Sequence, residues 1–144
     1  MSGSATLYTP EILSLAVELA NFPFGDDLSR RGDARSKVCG STIAIGAELD
    51  PDDRIGRIGA RVSACAIGQA AAALFLRSAE GKSVADIETA EKAIGTWLKG
   101  EGDIPDWPNL AILSPARTHP SRHGAILLPW TAARAALCNP AIAV

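Results

Sequence analysis

Apolar residues recur along this chain with two different periods, and the change between them divides it into regions. Near the N-terminus, Ile12, Leu15, Ala16 and Leu19 fall at helical spacing. Thr9 is placed to cap that helix, Pro10 suits its first position, and Asn21 and Pro23 end it. A polar stretch, GDDLSRRGDARSK, follows and reads as a loop. The period then shortens to two. In STIAIGAELD the residues Ile43, Ile45, Ala47 and Leu49 share one face, which predicts a strand. Asp50-Pro51-Asp52-Asp53 supplies turn chemistry. In RIGRIGARVSA, Ile58, Ala60 and Val62 alternate with Gly59, Arg61 and Ser63, so a second strand pairs back as a hairpin. Ile55 is out of phase with Ile58, which predicts a bulge or a late strand start. A third strand is expected in ARSKV, just ahead of Cys39.

After the strands the helical period returns. Ala64 to Arg77 is rich in alanine, the best helix former, and Glu80-Gly81-Lys82 breaks it. Ser83 begins the next helix, with Asp86 in the first turn, where a carboxylate is favourable. Ile87, Ala90, Ile94 and Trp97 form its apolar stripe. NLAIL predicts a short apolar turn of helix, and the last helix lies within residues 121–138. Strands early and helices late give the α+β pattern.

A length of 144 residues suits one compact domain spanning residues 1–144. A formal charge of −2 leaves no basic footprint for nucleic acid. The start, MSGSATLYTPE, lacks the basic and apolar regions of a secretory signal. With no apolar run of about eighteen residues, no membrane span is expected, and the reading is a cytoplasmic protein. Three cysteines in such a compartment are free thiols or metal ligands rather than a disulfide framework.

The cysteines differ in setting. Cys39 lies between the polar loop and a strand, and Gly40 after it permits a tight turn with the thiol near the surface. Cys65 stands where a strand hands over to a helix, and the unpaired N–H groups there favour a thiolate. Cys138 falls near the end of the last helix and reads as packing. A buried cysteine also serves simply as a small hydrophobe, and that alternative stands beside each chemical reading.

VCGST, a hairpin, SACAIGQAAAALF and GKSVADI, in that order, resemble the IscU/NifU-type (SufU-like) iron–sulfur cluster assembly scaffolds. Cys39-Gly40 matches the family's first motif, and Cys65 with Gly68 and Ala70 resembles the second. The likeness spans roughly residues 8–137. It implies a three-stranded antiparallel sheet with helices packed on one face. It also implies a site of cysteines with acidic or histidine neighbours, which builds a [2Fe–2S] cluster or holds iron or zinc. Sulfur would come from a cysteine desulfurase, and the cluster would pass to iron–sulfur acceptor proteins. Such a protein is a scaffold rather than an enzyme.

Three departures mark this chain as divergent. Ser41 stands where the family has aspartate. The segment Arg122-His123-Gly124-Ala125-Ile126-Leu127-Leu128-Pro129-Trp130 aligns so that Ala125 takes the third cysteine's place. The family's chaperone motif is replaced by His119-Pro120-Ser121-Arg122. The expected ligands are therefore Cys39, Cys65 and His123, with Gly40, Ser41, Arg122, Gly124 and Ala125 lining the site. His123 would share a face with position 125 only in an extended segment, because two helical residues turn a side chain by roughly 200°. Pro129 favours a helix that begins late, with residues 122–127 largely ahead of it. Two alternatives remain: a SufE-like sulfur carrier with a persulfide on one cysteine, and an interaction module that has lost the metal chemistry.

Overall fold

The computed structural model describes residues 8–142. The absence of a secretory signal was read partly from residues 1–7, which lie outside that range. Helix α1, Pro10–Val17, starts where expected: the Thr9 hydroxyl accepts the Ile12 N–H at 3.3 Å. A 3₁₀ turn, Glu18–Asn21, continues it. Strands β1 (Arg30–Arg35), β2 (Thr42–Leu49) and β3 (Ile55–Ser63) form an antiparallel sheet in the order β1-β2-β3. Helices α2 (Ala66–Ala79) and α3 (Val84–Leu98) follow, then 3₁₀ segments Leu110–Thr118 and Pro120–Arg122, then α4, His123–Cys138. The α+β architecture with a three-stranded antiparallel sheet is thus as expected.

The hairpin pairs Thr42 with Ser63 and Ala47 with Ile58, and the register slips between Glu48 and Leu49. Leu49 pairs with Ile55, so Gly56 has no partner and forms the predicted bulge. Strand β1 corrects the expectation twice. It lies at Arg30–Arg35, overlapping ARSKV only at Ala34 and Arg35, and so occupies part of the presumed loop. Its sequence, RRGDAR, shows no apolar alternation because its inward positions are Arg30, Gly32 and Ala34. Helix α4 lies directly on them: a Cβ on Gly32 would sit 2.7 Å from the Ala132 carbonyl oxygen. Close backbone approach, not a large side chain, seats this strand.

Helix α4 packs across β1 and β2, while α2 packs beside it and over β3. Helix α1 lies against α2 and α3 against α4. A Ser83–Asp86 capping box starts α3. Between the layers Phe75 and Trp107 stack at 5.4 Å, and Trp130 meets both edge-on at 5.3 Å. Trp107 comes from the 99–109 connection and donates its indole N–H to the Leu74 carbonyl at 2.9 Å, so that connection straps the core.

Helix α4 also corrects an expectation. It begins at His123, and Pro129 lies inside it. Residues 123–127 are therefore helical, not extended. Proline leaves the Ala125 carbonyl without its usual helical donor. Cys138 is exposed at the helix end, and Ala136 and Leu137 take the packing there. Among the described residues no helix is long and apolar enough to cross a membrane.

Candidate functional site

One hairpin turn, between β1 and β2, and the starts of α2 and α4 converge at one end of the sheet. Because Thr42 pairs with both Arg35 and Ser63, the β1–β2 turn and the β3–α2 junction project from the same edge. Cys39 sits in that turn and Cys65 in that junction.

The turn at residues 36–41 is closed by backbone bonds. The Ser36 N–H donates to the Ser41 carbonyl at 2.8 Å, and the Gly40 N–H donates to the Ser36 carbonyl at 3.0 Å. Gly40 has a φ of +72°, which is why glycine follows the cysteine. Val38, Cys39 and Gly40 stand exposed at the tip.

Two serines hold the thiol. Cys39 Sγ lies 3.4 Å from Ser36 Oγ and 3.1 Å from Ser41 Oγ. Both serines are buried, at 5% and 4% exposure. A buried hydroxyl needs a partner, and each finds one in an exposed sulfur. As a thiol Cys39 donates to Ser36 Oγ; as a thiolate it has no proton to give and can only accept from the hydroxyls. These bonds, Ser36 first and Ser41 second, bring the Cys39 thiol down to about 7, and the Arg122 charge adds to the effect. Ser41 thus replaces the aspartate of the resemblance with a donor to sulfur. Ser36 was missed in the sequence because it fell inside an apparently featureless polar loop.

Cys65 is built differently. It is the N-cap of α2, with extended backbone (φ −64°, ψ 170°), and its side chain makes no capping bond. It is half-buried against the core. Gly68 keeps the first turn of α2 narrow: a Cβ there would lie 2.8 Å from the Ala64 Cβ and 3.3 Å from the Ala125 Cβ. Ala125 is therefore packed against the first turn of α2 at Gly68, with 1% exposure. This is the location the alignment gave to a third cysteine.

Gly124 touches the other side of the site. A Cβ on it would sit 2.8 Å from Ser36 Oγ. His123 Nε2 lies 2.9 Å from the Arg117 carbonyl, so that nitrogen carries the proton and donates. This bond ties the start of α4 to the preceding 3₁₀ segment. Arg117 in turn donates to the Trp97 carbonyl at 3.0 Å and lies over the Trp97 ring. Among the described residues no three His, Cys, Asp or Glu side chains are grouped so as to hold a metal ion. Two thiols share one end of the sheet, Ala125 offers no ligand, and one nitrogen of His123 is committed.

No protein-family model and no curated protein matches the sequence. Solved structures do match. A nitrogen-fixing NifU-like protein (N-terminal) from Brucella abortus aligns at a TM-score of 0.84 and 25% identity, covering 94% of this chain and 95% of its own. The fold is the NifU/SufU fold. A candidate iron–sulfur cluster assembly scaffold protein for the SUF system, from Fervidobacterium islandicum AW-1, aligns at 0.79 and 20% identity, covering 93% and 98%. A hypothetical protein aligns at 0.67 and 19%, covering 89% and 97%. The NifU/SufU likeness therefore runs through nearly the whole length of each partner, with the sheet and helices in one arrangement.

Proposed function

We propose that this chain serves iron–sulfur cluster assembly as a sulfur acceptor, and that Cys39 is the accepting thiol. One observation carries the reading: an exposed cysteine at a turn closed by backbone hydrogen bonds, with two buried serine hydroxyls within hydrogen-bonding distance of its sulfur. A persulfide donor, a cysteine desulfurase, would present R–S–SH at that turn. The Cys39 thiolate attacks the outer sulfur, a new S–S bond forms on Cys39, and the donor S–S bond breaks. The donor cysteine leaves with the electron pair as a thiolate. No external oxidant is needed, and one thiol suffices. The sulfur would then pass to iron–sulfur assembly or acceptor proteins. The whole of residues 1–144 would act as one IscU/NifU-like unit in the cytoplasm.

The test is mass spectrometry after incubation with a cysteine desulfurase and cysteine. The expected product carries one added sulfur on the peptide containing Cys39. An unmodified Cys39, with the desulfurase active toward another thiol, refutes the reading.

A second reading keeps the scaffold role. Cys39 and Cys65 project from the same sheet edge through the pairing of Thr42 with Ser63, which supports a shared [2Fe–2S] cluster, iron or zinc as cargo. A partner would have to complete its ligands. Anaerobic reconstitution with iron and sulfide, followed by absorption spectroscopy, separates the two readings. A stable cluster lost on Cys65→Ala favours the scaffold. If alkylating both thiols leaves the protein's cellular role intact, it is an interaction module.

A further inference from the structure

The outer face of the sheet is covered at one end and open at the other. At the end away from the cysteines, Phe24 and Leu28 close it. A Cβ on Gly46 would sit 3.0 Å from Leu28 and 3.3 Å from Phe24. Toward the cysteine end the face opens into a hollow of about 500 Å³. Two cross-strand rows floor it: Arg35, Thr42 and Ser63, then Asp33, Ala44 and Arg61. Small residues occupy the central strand and arginines flank it.

The charge of this region opposes that of the whole chain. The protein is net negative, yet Asp33 is the one acid between residues 28 and 47. Arg35 and Arg61 are exposed, and the Arg61 guanidinium lies over the Phe24 ring at 4.8 Å. Neither forms an ion pair among the described residues, whereas Arg54, Arg57, Arg77 and Arg134 all do. Asp33 shares a row with Arg61 but lies two strand spacings away, about 10 Å. Lys37 stands at the tip beside Cys39, and Val38 next to it is 73% exposed. The hollow ends on Arg35 and Thr42, the paired residues that flank the turn carrying Lys37, Val38 and Cys39.

We propose that this open sheet face docks an acidic segment of the sulfur-donating protein, with Arg35 and Arg61 as its charge contacts. The identity of the donor rests on the sulfur-acceptor reading; the face itself does not. Complementary charge speeds and orients encounter, and it weakens with salt. A segment seated in the hollow would bring its protein's reactive sulfur to the tip that carries Cys39.

The experiment measures binding of a purified cysteine desulfurase from the same organism to this chain carrying Cys39→Ser, so that no sulfur chemistry intervenes. Arg35→Glu/Arg61→Glu on that background is expected to weaken binding at least tenfold. Lys92→Glu/Lys99→Glu, an equal charge change at exposed positions of α3 and its end, should leave it within twofold. Arg35→Gln/Arg61→Gln guards against a folding defect and should fall between. Equal binding by the Glu variant, no binding by the unreversed face, or tighter binding of a single-stranded oligonucleotide overturns the proposal. With Cys39 restored, inorganic polysulfide should load the Glu variant at the normal rate. If the face binds but Cys39 never takes sulfur, the docking surface stands and the acceptor reading falls. Full loading of the Glu variant by the desulfurase leaves the reading and removes the surface.

Discussion

Cys39 and Cys65 project from one edge of the same sheet, yet they sit in opposite chemistry. Cys39 is exposed and hydrogen-bonded by two buried serines. Cys65 is half-buried against apolar neighbours, at a helix N-terminus that it does not cap. A helix N-terminus is an attractive place for a thiolate, and the sequence argument favoured Cys65 on that ground. Fixed hydroxyls aimed at sulfur are shorter-range and more directional than a helix dipole. The two thiols differ in what touches the sulfur: two hydroxyls at Cys39, apolar neighbours at Cys65.

The sharpest way to break the comparison is to remove each sulfur in turn. Cys39→Ala should abolish sulfur uptake from a cysteine desulfurase, a loss of at least a hundredfold by mass-spectrometric rate. Cys65→Ala should retain uptake within about threefold. The reverse pattern would place the acceptor at the helix.

The next test is pH. Cys39 titrates near 7. Its alkylation by iodoacetamide should therefore be half-maximal near pH 7 and drop about a further fivefold by pH 6 as the thiol takes up a proton. Ser36→Ala/Ser41→Ala removes both donors to the thiolate. The half-maximal pH should then rise toward the ordinary thiol value near 8.5, with reactivity at pH 7 falling about tenfold. A profile unmoved by the double substitution would show that the hydroxyls do not act on sulfur.

A smaller effect should come from Gly124, which touches neither sulfur. A methyl group there meets Ser36 Oγ at 2.8 Å. Gly124→Ala should push that hydroxyl aside and raise the half-maximal pH of Cys39 by less than the double substitution does. Cys65 alkylation should be unchanged. A shift equal for both thiols would mean a general loosening instead.

Much of this fold was legible because its signals were local. The Ile43–Leu49 alternation, the Ile55 phase break and the Ser83–Asp86 cap all became the structures they predicted. What was hidden depended on long-range packing. Strand β1 is seated by glycine beneath α4, so it carries no apolar pattern. Helix α4 starts at His123 despite Pro129, because burial of Ile126, Leu128 and Trp130 outweighs one missing backbone bond. At the site, Cys39, Gly40 and Ser41 could be named from the sequence. Ser36 could not, since only the closed turn brings it back to the sulfur.

The smallest effect tests the bland side of the comparison. If Cys65 is only the residue that begins α2, a better N-cap should improve it. Serine accepts the N–H groups at the start of a helix far better than a thiol does, and a good cap is worth about 1 kcal/mol. Against that, Cys65 is half-buried beside apolar groups, and exchanging its sulfur for a hydroxyl costs part of the gain. Cys65→Ser should thus change unfolding free energy by less than about 1 kcal/mol, in the stabilising direction, while sulfur uptake at Cys39 continues. A clear destabilisation would show that the Cys65 sulfur is held by packing that a cap cannot replace. Stability gained with uptake lost would show that Cys65 takes part in the chemistry, and the two thiols would have to be treated as one site.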